Sequence, residues 1–223
     1  MKLNRPLTYF FKAGEKTHIK SLLNEGCVCL NRMKFFAECE TNNSSIYDKD
    51  EGLWMNQGYV SIPDVCEMAR AENIRLSGYL FCVTGFSDNV YQKDAPFKYS
   101  YPIIPEGEEP FGDTELLVWN PKVFCRRFLE AVKKEGLSVQ YNWVGYDVIS
   151  DKQYDSGELY LPFHKRVRFK WQSEFRFYVV GDVKKEKMFL NIGPITDIAC
   201  IIEPNKSYQM VHRFDNRYDF VIE

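Results

Sequence analysis

The 223-residue chain carries 29 lysines and arginines against 31 aspartates and glutamates, with 45% hydrophobic and 16% aromatic residues. Such a chain has ample material for a core, as one large domain or two small ones, and its composition excludes a disordered or collagen-like protein. A net charge of −2 excludes a global field drawing it to nucleic acid or an anionic membrane, although a local basic groove stays open.

The aromatic load of 17 Phe, 14 Tyr and 4 Trp favours sheet, because flat side chains fit pleated surfaces. Seven cysteines are an odd number, and most stand in apolar surroundings such as LFCVTGF, which reads as buried thiols in a reducing cytoplasm. Cys27-x-Cys29 lacks a second close pair or histidines at ligand spacing, so no zinc site is expected. MKLNRPLTYFFKAGEK has no apolar core ending in small residues, and no apolar run approaches ~20 residues. The expectation is a cytoplasmic protein with no membrane segment.

LTYFFK (7–12) reads as a strand. In EKTHIKSLLNEG, Ile19, Leu22 and Leu23 recur at helical spacing and Gly26 stands at the stop position. CVCLNR (27–32) is a second strand. ECETNNSSIYDKDEG (38–52) is a polar loop, and PDVCEMAR (63–70) a short helix opened by Pro63. IRLSGYLFCVTGFS (74–87) is one long strand or two joined at Gly78. Residues 88–114, rich in proline and tyrosine, form a long loop of the kind that acts as a lid or binding loop or is disordered. Asn120 and Pro121 open a helix with an apolar stripe through Val123, Phe124, Phe128, Leu129 and Val132, ended by Gly136. Strands follow at 138–149, 175–180, 187–192 and 198–203, with GDVKKEK as a hairpin turn. With no internal repeat and no linker, the chain reads as a single α+β domain spanning 1–223, mostly antiparallel sheet with a few helices.

His18, His164 and His212 stand apart, and GxSxG, HExxH and P-loop patterns are absent. DKDEG offers Asp48, Asp50 and Glu51 to a metal but lacks the full calcium-loop pattern. HKRVRFK (164–170) packs four cations into seven residues, either a solvated stretch or a phosphate-facing patch. KWQSEFRFYVV (170–180) reads as a strand with Gln172, Glu174 and Arg176 on one face and Trp171, Phe175, Phe177 and Val179 on the other, and Trp171, Phe175 and Phe177 are expected to be largely buried. That polar row is either a wet sheet face or the lining of a cleft.

Gln172-x-Glu174 on an extended segment just past a basic run resembles the ADP-ribosyltransferase superfamily, in particular its small bacterial toxin and phage-defence members. The strand–helix–Gly–strand unit in LTYFFKAGEKTHIKSLLNEGCVCLNR resembles that family's opening. The likeness covers residues 7–36 and 165–181. It implies an ADP-ribosyltransferase-like fold and NAD as substrate. Glu174 then stabilises an oxocarbenium-like transition state through the nicotinamide ribose, and Gln172 positions the acceptor. Tyr9 and Lys12 stand where the family's first strand carries Arg or His. Asn31 and Arg32 replace the second strand's Ser-Thr-Ser stretch or tyrosine.

The chemistry needs a cation for the pyrophosphate, from Arg32 or Lys12, and an aromatic ring for the nicotinamide, from Phe36 or Tyr47. The acceptor is RNA, DNA or protein, and a toxin-like role brings an antitoxin as partner. Two other classes compete: a non-catalytic interaction or immunity module with Glu174 on a wet face, and a metal-dependent nuclease built on DKDEG. Arg32 is expected to share a concave surface with Glu174, and Glu174→Gln to leave folding nearly unchanged.

Overall fold

The computed structural model describes residues 6–38, 77–87, 97–98, 111–147, 161–181, 185–202, 208–212 and 218–222. β1 (Tyr9–Gly14) leads into α1 (Lys16–Glu25), and β2 (Cys27–Arg32) follows directly after Gly26. Ile19 and Leu22 are the buried positions of α1. Gly26 has φ 72°, and its N–H is bonded to the carbonyls of Leu22 and Ser21. A side chain there would run into the backbone of Gly193. Left-handed backbone and close approach both demand glycine.

The remaining elements are α2 (Met33–Glu38), β3 (Gly78–Phe86), β4 (Phe97–Lys98), β5 (Thr114–Val118), α3 (Pro121–Lys134), β6 (Ser138–Trp143) and β7 (Gly145–Asp147). They are followed by β8 (His164–Arg166), β9 (Glu174–Val180), β10 (Lys187–Asn191), β11 (Ala199–Ile202), β12 (Tyr208–His212) and β13 (Tyr218–Ile222). α3 starts as its sequence dictates. The Asn120 side chain accepts from the Val123 N–H at 3.3 Å, and Pro121 occupies the first helical position, where a missing N–H costs nothing.

One eight-stranded sheet branches at β3. One edge of β3 pairs with β9 from Gly78 to Thr84, and β6 lies beyond β9. The opposite edge is shared. β2 takes Tyr79 and Leu80, whereas β1 takes Thr84 to Phe86. Between these two registers β1 and β2 part, and α1 bridges them. β10 continues past β2, and β5 and β11 continue past β1. β12 pairs with β13 and β4, and β7 with β8. Among the described residues only the β7–β8 pairing is parallel, so the chain is a mixed α+β domain of mostly antiparallel sheet.

Alternation gives the sheet two faces. On one, Phe10, Phe81, Phe175 and Phe177 pack with Ile19 and Leu22 of α1 and with Phe124 and Phe128 of α3. The rings of Phe128 and Phe177 lie 4.6 Å apart, and each such side chain contributes roughly 1.5–3 kcal/mol on burial. The other face carries two smaller apolar clusters, one around Tyr9, Phe11 and Leu117, the other around Met33, Leu80, Phe163 and Tyr178. Glu174 and Arg176, paired with Thr84 and Cys82, lie between them.

Three expectations are corrected. The strand expected over 170–180 begins only at Glu174, because residues 167–172 form a 3₁₀ turn and Ser173 adopts φ 44°. Ser173 is locked there by Gly85, whose N–H donates to the Ser173 carbonyl at 2.8 Å while the Ser173 hydroxyl donates back to the Gly85 carbonyl at 3.0 Å. Trp171 is therefore half-buried, whereas Phe175 and Phe177 are buried as expected. GDVKKEK does not turn a hairpin: both edges of β9 are already filled by β3 and β6, so β10 pairs with β2.

α2, β4, β5, β8, β12 and β13 were not anticipated, and the strand read over 74–87 runs from Gly78 to Phe86. The loop read over 38–52 falls outside the described residues except at Glu38, and so does the helix over 63–70. Most of 88–114 falls outside them too. No described helix is long and apolar enough to cross a membrane. None of the five described cysteines forms a disulfide, and all are half-buried.

Candidate functional site

The turn at Ser173 decides the local geometry. A continuous strand would separate Gln172 from Glu174 by one pleat repeat. The 3₁₀ turn instead folds Gln172 inward, so that both side chains meet the same ammonium group. Lys165 Nζ donates to Gln172 Oε1 at 2.8 Å and lies 3.2 Å from Glu174 Oε1. Arg176, two residues along β9, places Nε and Nη2 each 2.7 Å from Glu174 Oε2, and its Nη1 donates to the Pro162 carbonyl at 2.8 Å. The backbone N–H of Glu174 donates to the Tyr146 hydroxyl at 2.8 Å.

All four members, Lys165, Gln172, Glu174 and Arg176, are buried. Burial pushes the Glu174 carboxyl up, but the Arg176 and Lys165 charges and their hydrogen bonds outweigh it and hold the group at about 2. Glu174 is an anion at any ordinary pH. Burial and the nearby Glu174 charge push the Tyr146 phenol up, so it stays neutral.

The network borders a cavity of about 430 Å³, within the usual span of about 300–1,000 Å³ for ligand pockets. The cavity occupies the fork where β1 and β2 part along β3. Its wall includes Phe11 and Lys12 of β1, α1, Cys29 and Asn31 of β2, Phe36 of α2, residues 80–84 of β3, and Lys187 and Phe189 of β10. Gln172, Glu174 and Lys165 complete it. Lys12 reaches across the fork. Its Nζ donates to the Cys82 carbonyl at 3.0 Å and sits 5.1 Å from the centre of the Phe81 ring. Burial lowers its pKa, against the pull of Cys82 and Glu174.

The residues expected to form the site are therefore sorted by the fold. Gln172, Glu174, Lys12 and Phe36 line one cavity. Tyr9 does not line it; its ring stacks on Phe86 at 4.7 Å inside an apolar cluster. Arg32 is also away from it, in an ion pair with Glu186 at 2.6 Å. The reason is pleat parity: Arg32 is paired with Tyr79, whose side chain faces the helix-covered core, whereas Asn31 is paired with Leu80 on the site face. Tyr47, Asp48, Asp50 and Glu51 lie outside the described residues.

The basic run 164–170 divides rather than acting as one patch: Lys165 points inward, and Arg168 and Lys170 are exposed. His18 is exposed at the cavity wall. Lys165 and Tyr146 were not anticipated as site residues, because nothing in local spacing marks which cation of a run turns inward. Arg176 had a signal, its place in the alternation with Glu174. No protein family, curated protein or solved structure matches the chain.

Proposed function

We propose that the chain is a mono-ADP-ribosyltransferase with an ADP-ribosyltransferase-like fold, moving ADP-ribose from NAD to a macromolecular acceptor. The observation that carries the reading is Glu174, a buried carboxylate paired with Lys165 and Arg176 at the wall of a cavity that also presents aromatic rings and lysines. Cleavage breaks the bond between the nicotinamide nitrogen and ribose C1′, and the electron pair leaves with neutral nicotinamide. Positive charge develops on the sugar, as in glycoside hydrolysis. A fixed anion beside it stabilises that charge.

A carboxyl held at about 2 is a weak proton acceptor, so Glu174 serves as an electrostatic stabiliser rather than a general base. The acceptor's nucleophilic atom bonds to C1′ and its proton leaves to water. In this reading Gln172, fixed by Lys165, orients the acceptor. In the same reading Lys12 serves as the cation for the pyrophosphate and Phe36 as the ring for the nicotinamide, both lining the cavity. RNA, DNA and protein remain the acceptor classes. A cytoplasmic toxin-like or phage-defence role, with an antitoxin as partner, belongs to the same reading.

One observation favours a non-catalytic interaction module instead: the Glu174 side chain is only 10% exposed and both of its oxygens are already engaged. Incubating the protein with labelled NAD and separate pools of RNA, DNA and protein decides between the two. The transferase reading expects nicotinamide release and ADP-ribose incorporation into one pool, both lost in Glu174→Gln. Wild-type protein that releases no nicotinamide with any pool would leave the interaction module standing.

A further inference from the structure

The end of the cavity away from Glu174 is built from β2 and β10, and it carries features the catalytic reading does not use. Phe189 is 60% exposed, although it sits in a strand whose neighbours Met188 and Leu190 pack into the core. Cross-strand register sets Phe189 beside Cys29 and Lys187 beside Asn31, so all four lie on the cavity side of the sheet. Asn31 Oδ1 is buried and has no hydrogen-bond partner among the described residues. A buried acceptor left open costs about 1–3 kcal/mol, a cost relieved when a ligand supplies the missing donor.

We infer that Asn31, Lys187 and Phe189 form a subsite for an amine-bearing nucleobase, adenine in the first instance, at the distal end of the bound nucleotide. The inference rests on the NAD reading and adds the recognition of the second base. An exposed ring on a rigid strand offers a stacking platform. The open amide oxygen of Asn31 takes the exocyclic amine, as asparagine does when it reads adenine elsewhere. Lys187 stands two residues from Phe189 on the same face, within reach of the adjoining phosphate.

Distance separates this subsite from the acceptor's place. Glu174 is level with Thr84, and Phe189 is level with Cys29, which extrapolates to Cys82 along the β2–β3 register. Three strand spacings of about 4.8 Å and two residues of about 3.4 Å put Phe189 roughly 16 Å from Glu174. An attacking atom must come within about 3–3.5 Å of the reacting carbon. The β2–β10 end therefore holds the far half of the same ligand.

Calorimetric titration of the full chain with ADP and with inosine diphosphate, which lacks the amine, tests this. ADP should bind roughly 3- to 10-fold more tightly, the worth of one such hydrogen bond. Asn31→Ala should erase the preference, and Phe189→Ala should weaken both ligands by roughly tenfold. Equal affinity for the two ligands in the wild type, no binding of either, or a preference that survives Asn31→Ala would overturn the subsite. A preference that Asn31→Ala erases, in a protein that never releases nicotinamide, would keep the subsite and remove only the transferase reading. Thermal melting of both variants confirms that they fold.

Discussion

On β9, Phe175 and Phe177 point to one face and Glu174 and Arg176 to the other, and all four are buried. The first pair meets aromatic rings, Phe177 those of α3 and Phe175 those of β6, the second an ammonium, a carbonyl and the wall of a cavity. Burial alone thus does not distinguish a core from a site. What distinguishes them is desolvation: apolar groups gain by leaving water, whereas each buried charge loses hydration that only its partners restore. A protein that needed nothing from this face would be as stable with apolar residues there. Retention of the charges is what makes the face a candidate site.

The largest expected effects set the two faces side by side. Phe177→Ala should cost roughly 3–5 kcal/mol by opening a cavity among rings. Arg176→Met should cost a similar amount for a different reason, since it leaves Glu174 without its principal partner. Denaturant titration of both measures this. Combining Lys165→Met, Glu174→Leu and Arg176→Met should restore most of the Arg176→Met loss without restoring nicotinamide release. A triple variant no more stable than Arg176→Met would show that the ionic face is a structural element in its own right.

Next in size is Glu174→Gln, which should slow nicotinamide release roughly 10²–10³-fold. The expectation that folding would hardly change is revised by the geometry, because the neutral amide leaves Arg176 and Lys165 facing each other in a buried space. A lowered melting temperature should accompany the loss of turnover. Release at the wild-type rate would remove Glu174 from the chemistry. Gln172→Ala should reduce transfer to an acceptor more than NAD hydrolysis, read as ADP-ribose incorporation against nicotinamide release.

Acid should separate the faces as well. Glu174 is held at about 2, below its ordinary value of 4.5. Its contribution to stability is fully present above about pH 4.5 and is lost as pH falls towards 2. Melting curves across that window should fall more steeply for the wild type than for the triple apolar variant. The smallest effect lies at a helix terminus: Asn120→Ala removes the α3 cap and should cost about 1 kcal/mol by denaturant titration.

Local signals were enough for α1, α3 and most strands of the large sheet: Gly26 at the end of α1, Asn120 and Pro121 at the start of α3, CVCLNR as a strand, and the two faces of FRFYVV. Each depends on backbone propensity or on periodicity within a few residues, which a sequence displays directly. The fork was not legible, because it arises from β1 and β2 sharing one edge of β3, a choice made by residues more than forty positions apart. Nor was the exchange of Arg32 for Asn31, since strand register fixes which of two neighbours faces the cavity. Lys165 meets both of its partners because Ser173, locked to Gly85, folds Gln172 beside Glu174. The sequence by itself determined which side chains could carry chemistry. Tertiary structure decided which of them meet, because the Lys165 and Arg176 charges that hold Glu174 ionised against its desolvation come together only once the strands and the 3₁₀ turn have closed around it.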